Sequence, residues 1–376
     1  MRKVILNRPG KLNTLNYQMV MELFKNLTIY ERDPSVNLVM VKGNGKAFCA
    51  GGDIIAVLKL ITEGHWSFAL KFYEKQLRLD HMIATYKKPM VSIVNGIIMG
   101  GGVAISIFSK FQIVTENTLF AMPEAAIGLF PDVGASYFLS RLSGYFGEYI
   151  GLTGIRLDGA DIVACGLATH FVHSKDVNLL ENAIEELSRL SQTIDISMLN
   201  ETINIYAQKP CLKQSSPLIR LEMINRCFSN DTVEKILDFL VNLSTKNCDK
   251  WIIDTINSMK SASPTSLKLF LRSIREGRTQ KLDQCLVREY NAIAHLCAQS
   301  FVNDFLQGSR AMLVDKDKKP KWKYSMLEEV KEEIVKQHFE EMMGDEEFKP
   351  LLLDTSRTSN LDRSSSSCTK ILPSRH

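Results

Sequence analysis

From Met90 to Ser109 the chain runs for twenty residues without a charge. That length matches the roughly 20 residues of a membrane-spanning helix. Four glycines inside it (Gly96 and Gly100 to Gly102), together with Asn95, decide against a span. The segment divides instead into a buried strand at Met90–Val94, a glycine turn and a buried helix beginning near Gly102. A Gly96-x-x-x-Gly100 pair is formally a membrane dimerisation motif; in this setting it reads as turn glycine. A second unit of the same kind lies upstream, where the apolar strand Leu38–Val41 runs into Gly43-Asn-Gly-Lys-Ala-Phe-Cys-Ala-Gly-Gly-Asp53. Repeated passage from strand through glycine turn to helix constrains the chain to an α/β architecture.

Other segments extend the pattern. Val4–Leu6 and Phe111–Thr115 read as strands. Tyr17–Glu31 and Trp66–Tyr86 read as helices, with a further helix around Ala135–Leu142. Beyond Val177 the strand signal fades. Helical periodicity then dominates in Leu179–Leu190, Thr232–Leu243, Trp251–Lys260, Ser266–Arg275, Cys285–Ala298 and Met326–Met343. The expected organisation is an α/β core over 1–175, a mainly helical region over 176–345 and a disordered tail over 346–376, rich in Ser, Thr and Arg from Ser356.

Composition narrows the function. A net charge of +4 from 46 basic and 42 acidic residues does not point to nucleic acid. It suits a small polyanionic ligand. The eight cysteines show no CxxC spacing and the histidines no His-x-x-x-His, so neither zinc nor a disulfide framework is expected. The first residues, Met-Arg-Lys-Val-Ile-Leu, read as a strand and not as a targeting peptide.

Two carboxylates stand out. Glu124 and Asp132 lie in the run Phe120-Ala-Met-Pro-Glu-Ala-Ala-Ile-Gly-Leu-Phe-Pro-Asp-Val-Gly134, which is otherwise apolar, glycine or proline. Burying a carboxylate in such company is unfavourable unless it is paired or used. Each acid follows a proline, Pro123 or Pro131, which keeps both out of regular helices and central strands. The structural alternative is that they cap helix starts. The two upstream turns supply something for them to act on. Gly52 and Gly101, each leaving a strand for a helix, could aim two backbone N–H groups at one carbonyl and form an oxyanion hole. Gly43 and Gly45 read as turn glycines only. Neither turn has the spacing of a P-loop or of a dinucleotide-binding fingerprint. There is no GxSxG for a nucleophilic serine, and Cys49 reads as a packed side chain.

Together, Ala47-Phe-Cys-Ala-Gly-Gly-Asp53, Asn95-Gly-x-x-Met-Gly-Gly-Gly102 and the Glu124 run resemble the crotonase (enoyl-CoA hydratase/isomerase) superfamily. Within it, Leu152-Thr-Gly-x-Arg-Leu-x-Gly159, Gly166-Leu-Ala-Thr-His-Phe-Val172, Ser273-Ile-Arg-Glu-Gly277 with Glu289-Tyr290, and Gly308-x-Arg-Ala through Trp322 resemble the branch that hydrolyses 3-hydroxyisobutyryl-CoA. The wording is that of its plant-type members, and the resemblance covers residues 4–345. It implies a ββα spiral core followed by a helical region. It implies hydrolysis of a short-chain 3-hydroxyacyl-CoA thioester in valine catabolism, with coenzyme A entering as part of the substrate and no separate cofactor. The oxyanion-hole N–H groups would fall on Gly52 and Gly101, the catalytic glutamate on Glu124 and the second acid on Asp132. Lys46, Ala47, Phe48, Ala50 and Asp53 would lie along coenzyme A. Gln76 stands where some members carry a substrate-contacting acid, which is a departure.

Hydratases of the family use a second glutamate at the position of Ala104, which can transfer no proton. That favours hydrolysis, with Glu124 either activating water or attacking the carbonyl to form an anhydride, and Asp132 holding the 3-hydroxyl or the water and tuning Glu124. Another acyl-CoA hydrolase or isomerase, or a non-catalytic binding subunit, are the competing readings. The expected partner is an acyl-CoA, with no nucleic acid and no membrane, and a homo-oligomer is compatible. The terminal Ser374-Arg375-His376 resembles a peroxisomal Ser-Lys-Leu address, so peroxisomal is the expected location, with mitochondrial and cytosolic as alternatives.

Overall fold

Short apolar runs, each stopped by glycine or a polar turn, become nine strands in the computed structural model, which describes residues 1–246 and 249–357. They are β1 (Arg2–Leu6), β2 (Val39–Gly43), β3 (Ala47–Cys49), β4 (Met90–Val94), β5 (Ile97–Met99), β6 (Phe111–Val114), β7 (Leu119–Ala121), β8 (Leu157–Asp158) and β9 (His170–Phe171). One sheet has the order β1-β2-β4-β6-β9 and is parallel throughout; the other is β3-β5-β7-β8, parallel except for its last pair. The pairs β2/β3, β4/β5 and β6/β7 each send the chain from the first sheet to the second across a short turn. Repetition of that step, with a helix after each of the first two pairs, produces a ββα spiral.

Strands buried on both faces divide their side chains by parity. Val39 and Val41 join the main core, whereas Leu38 and Met40 face a second cluster with Leu180, Ile184 and Leu199 from the helices Val177–Leu190 and Ile196–Asn204. Ser92, on the main-core face of β4, shares a 2.7 Å hydrogen bond with Ser106 of the helix Gly101–Ile107. Among the described residues no helix is long and apolar enough to cross a membrane. The charge-free stretch is β4, β5 and that short helix.

After β9 the described chain is helical, and its helices are not segregated from the spiral. The main cluster runs from Leu6 to Leu351, and helix Leu282–Ala298 lies along helix Trp66–Ala84. Two expectations change here. Met326–Met343 is not one amphipathic helix, because Val330 turns extended (φ −82°, ψ 98°) between the 3-10 turn Leu327–Glu329 and the short helix Glu332–Gln337. The Val330 carbonyl instead accepts Lys268 Nζ at 2.8 Å. The stretch 346–357, placed in the tail by composition, packs on the body. Phe348 and Leu351 are buried, Tyr290 donates to the Lys349 carbonyl, and Arg357 pairs with Glu31 at 2.6 Å. The remainder of the expected tail, including Ser374-Arg375-His376, lies outside the described residues.

Candidate active site

The pairing of β3 with β5 brings the two glycine turns side by side. A Cβ on Gly51 would stand 3.3 Å from the Met99 carbonyl and 3.6 Å from the Gly101 nitrogen. Leu15 clamps the first turn: its N–H donates to the Gly51 carbonyl at 2.8 Å, and its carbonyl accepts the Asp53 N–H at 2.8 Å. The Gly52 N–H between them finds no backbone acceptor among the described residues. Gly101 opens its helix, a position whose N–H has no intrahelical acceptor. Its lack of a side chain has a local reason. The Gln76 amide lies so close that a Cβ on Gly101 would fall 2.0 Å from Gln76 Nε2.

Glu124 completes this corner. Pro123 ends the extended chain after β7, and Glu124 starts a single 3-10 turn, Glu124–Ile127. The turn is fastened by the Ser263 N–H, which donates to the Ala125 carbonyl at 3.1 Å. Glu124 is only 6% exposed, and its Oε1 is 2.8 Å from where a Gly100 Cβ would sit. Its Oε2 is buried with no hydrogen-bond partner among the described residues. Asp132 is 3% exposed and lies in the irregular chain before the helix Ala135–Phe138. Neither carboxylate caps a helix, so the capping alternative fails for both.

Burial raises the Glu124 carboxyl from 4.5 to about 8. Burial is also the largest cause at Asp132, which is pushed well above the usual range, and the charges of Glu124 and then Glu289 push it further. The two acids lie close enough for like-charge repulsion to disfavour ionising both together, so they titrate as a pair.

Three further side chains belong to this corner and were not singled out from the sequence as one group. Tyr73, Gln76 and Asp80 fall at i, i+3 and i+7 on a buried side of the helix Trp66–Ala84. The Tyr73 hydroxyl and both Asp80 carboxyl oxygens are buried with no hydrogen-bond partner among the described residues. Burial, with Cys297, Asp132 and Glu124 nearby, raises the Tyr73 hydroxyl; burial, with Asp132 and Glu289, raises Asp80. The signal was present in the sequence as polar residues at helical spacing amid Phe72, Leu77 and Leu79. Ala104, in the helix Gly101–Ile107, is fully buried and contributes no titratable group.

The positions expected along coenzyme A divide. Lys46 is exposed and Ala50 half-buried at the rim of the first turn, whereas Ala47 and Phe48 are buried in β3. The Phe48 ring belongs to the core, which leaves only its backbone to meet a ligand. Asp53 is occupied structurally: it caps the helix Ile54–Thr62 and pairs with Arg8 at 3.0 Å. Beside the turn opens a groove of about 370 Å³ lined by Leu15, Asp53, Val57, Phe68, Lys71 and Phe72 among others. Lys71 Nζ lies 4.4 Å from the centre of the Phe68 ring. No cluster of three His, Cys, Asp or Glu side chains among the described residues is placed to hold a metal ion.

This spiral, with paired glycine turns facing a buried glutamate, is the arrangement of a known family. Residues 1–339 match the family described as Enoyl-CoA hydratase/isomerase, and the chain belongs to it. A relative from Arabidopsis thaliana, 3-hydroxyisobutyryl-CoA hydrolase 1, is 50% identical over 348 residues, covering 93% of this chain and 91% of its own. The mitochondrial 3-hydroxyisobutyryl-CoA hydrolase of Xenopus laevis is 40% identical over 338 residues, covering 88% and 84%. Among solved structures, a carnitinyl-CoA dehydratase from Mycobacterium thermoresistibile superposes with a TM-score of 0.83 at 31% identity, covering 94% of this chain and 96% of that one.

Proposed function

We propose that this protein hydrolyses a short-chain 3-hydroxyacyl-CoA thioester, 3-hydroxyisobutyryl-CoA first among them, to the free hydroxy acid and CoA in valine catabolism. One observation carries the chemistry. The turns bearing Gly52 and Gly101, whose N–H groups find no backbone acceptor among the described residues, adjoin at Gly100, where the Glu124 carboxyl packs with its buried Oε2 unpartnered among those residues. The identity of the substrate rests on the printed names of the Arabidopsis and Xenopus relatives.

In this reading the two N–H groups polarise the thioester carbonyl and stabilise the oxyanion formed on it. Glu124, ionised, takes a proton from water as oxygen bonds to the carbonyl carbon, or itself attacks to give an anhydride that water then opens. The C–S bond breaks with its electron pair on sulfur, and CoA leaves as the thiol after taking the proton held by Glu124 on the water route, or one from solvent on the anhydride route. Asp132, its carboxyl raised by burial beside Glu124, holds the substrate 3-hydroxyl. Gln76, against Gly101, lines the same space with an uncharged amide. The groove beside Gly52 receives the pantetheine arm, with Lys46 and Lys71 as cations for the phosphate end. The chemistry assigned to these side chains invokes no resident cofactor. For the compartment, the Xenopus relative's name supports the mitochondrial alternative, and these relatives lend no support to the peroxisomal one.

A panel of CoA esters, assayed by release of free thiol, tests the substrate. Turnover should be highest with 3-hydroxyisobutyryl-CoA. Release from no ester would leave an isomerase or a binding subunit, because neither liberates CoA.

A further inference from the structure

Asp132 is followed by two residues in the left-handed region, Val133 at φ +55° and Gly134 at φ +82°. Glycine adopts that conformation without strain, but a β-branched residue there is a genuine outlier that its surroundings must enforce. Val133 is 1% exposed, inside the core.

The enforcement comes from far along the chain. Glu289, on helix Leu282–Ala298, is fully buried. One of its carboxylate oxygens accepts the Gly134 N–H at 2.7 Å. The other accepts the Ser136 N–H at 3.0 Å and the Ser136 hydroxyl at 2.5 Å. Arg288 Nη2 reaches the Ser136 hydroxyl at 3.0 Å and the Ser273 carbonyl at 2.6 Å, joining the clamp to helix Pro264–Gly277. Thus three donors from the residues directly after Asp132 converge on one carboxylate 155 positions downstream of Gly134. A group buried with that many bonds to one turn fixes the turn's geometry.

We propose that Glu289 is a positioning residue for the reaction: it grips the strained Val133–Ser136 turn and so aims the Asp132 carboxyl into the corner occupied by Glu124. This rests on the reading of Asp132 as a working acid of the site. Glu289 itself touches no reacting atom. Its effect passes through the placement of Asp132, and it should appear in kcat rather than in substrate affinity.

Glu289→Gln sets an amide NH₂ against backbone N–H donors and loosens the clamp. Displacement of a catalytic group by about 1 Å can lower turnover roughly 100-fold, so kcat on 3-hydroxyisobutyryl-CoA should fall roughly 10- to 100-fold with KM changed less than about threefold. Three comparisons discriminate. Adding Val133→Gly, which removes the strain the clamp opposes, should restore much of the lost kcat; no restoration contradicts the proposal. Combining Glu289→Gln with Asp132→Asn should cost little beyond Asp132→Asn alone, because groups acting as a unit are not additive. Additive losses overturn the proposal while leaving the reading of Asp132 intact, whereas a fully active Asp132→Asn removes both. Ser136→Ala removes the hydroxyl's bonds to Glu289 and Arg288 but keeps both backbone donors and the Glu289 side chain, so it serves if Glu289→Gln folds poorly. Its kcat should fall at constant KM, and an unchanged kcat refutes the clamp.

Discussion

Replacing Glu124 with glutamine should change how stability depends on pH, and the size of the change follows from the burial of one carboxyl. The free carboxyl titrates at 4.5 and the folded one at about 8. Below pH 4.5 both states hold the proton and the group contributes its full relative stability. As pH rises from 4.5 to 8 the unfolded chain releases the proton while the fold retains it, so stability falls, and above 8 the loss is complete. A difference of about 3.5, at 1.36 kcal/mol for each pH unit, sets a ceiling of about 5 kcal/mol. Glutamine fills the site without titrating. Its amide adds an offset that pH does not alter, which makes the slope the diagnostic quantity. With an unfolding entropy of roughly 2.1 cal/mol/K per residue, a chain of this length gains about 1.3 °C per kcal/mol. Thermal melts of wild type and Glu124→Gln at pH 5 and pH 8.5 should therefore diverge, the variant gaining roughly 3–6 °C on wild type at the higher pH. Relief of the push on Asp132 acts in the same direction. A Tm difference that is the same at both pH values would refute the claim that Glu124 is held protonated by burial.

The same ionisation shapes catalysis: kcat/KM should climb as pH passes upward through about 8, where Glu124 loses its proton, and a flat profile between pH 6 and 9 would remove Glu124 as the titrating group. Gly101→Ala keeps its N–H but sets a Cβ 2.0 Å from the Gln76 amide, which must swing aside into the site; the variant should fold, and kcat, read by CoA release, should fall by up to about 10²-fold, the scale of a misplaced group in an active site. Gly102→Ala meets the Cys49 backbone carbonyl at 2.4 Å and should instead lower Tm, read by the same melts. Mass spectrometry after several turnovers in heavy-oxygen water tests the covalent route open to Glu124: label in its carboxyl establishes an anhydride that water opens at the glutamyl carbon, and its absence rules that route out.

Legibility from sequence followed the length of each signal. Strands β1, β2, β4 and β6 announced themselves as apolar runs of three to five residues, and the longer helices by their periodicity. The strands β3, β5, β7, β8 and β9, of two or three residues each, are too short to show alternation, and three of them hide within glycine or proline segments that read as turns. Glu124 and Asp132 were visible because charge is conspicuous among apolar residues. Phe48 was placed along the ligand because it lies in the Lys46–Ala50 segment; all three residues of β3 are buried, and its ring packs in the core. Asp80 and Tyr73 gave only a weak sign, since a polar residue in an amphipathic helix is ordinary until its partners prove absent. The Glu289 clamp had no local sign at all, because it joins residues 155 apart.

The central claim is that Glu124, beside the Gly52 and Gly101 N–H groups, performs thioester hydrolysis. Steady-state release of CoA from 3-hydroxyisobutyryl-CoA by wild type and Glu124→Gln, with ester binding measured in parallel by calorimetry, tests it most directly. The account predicts turnover by wild type, and loss of turnover in the variant by a factor of roughly 10³ or more with binding retained. Near-normal turnover by Glu124→Gln would contradict it.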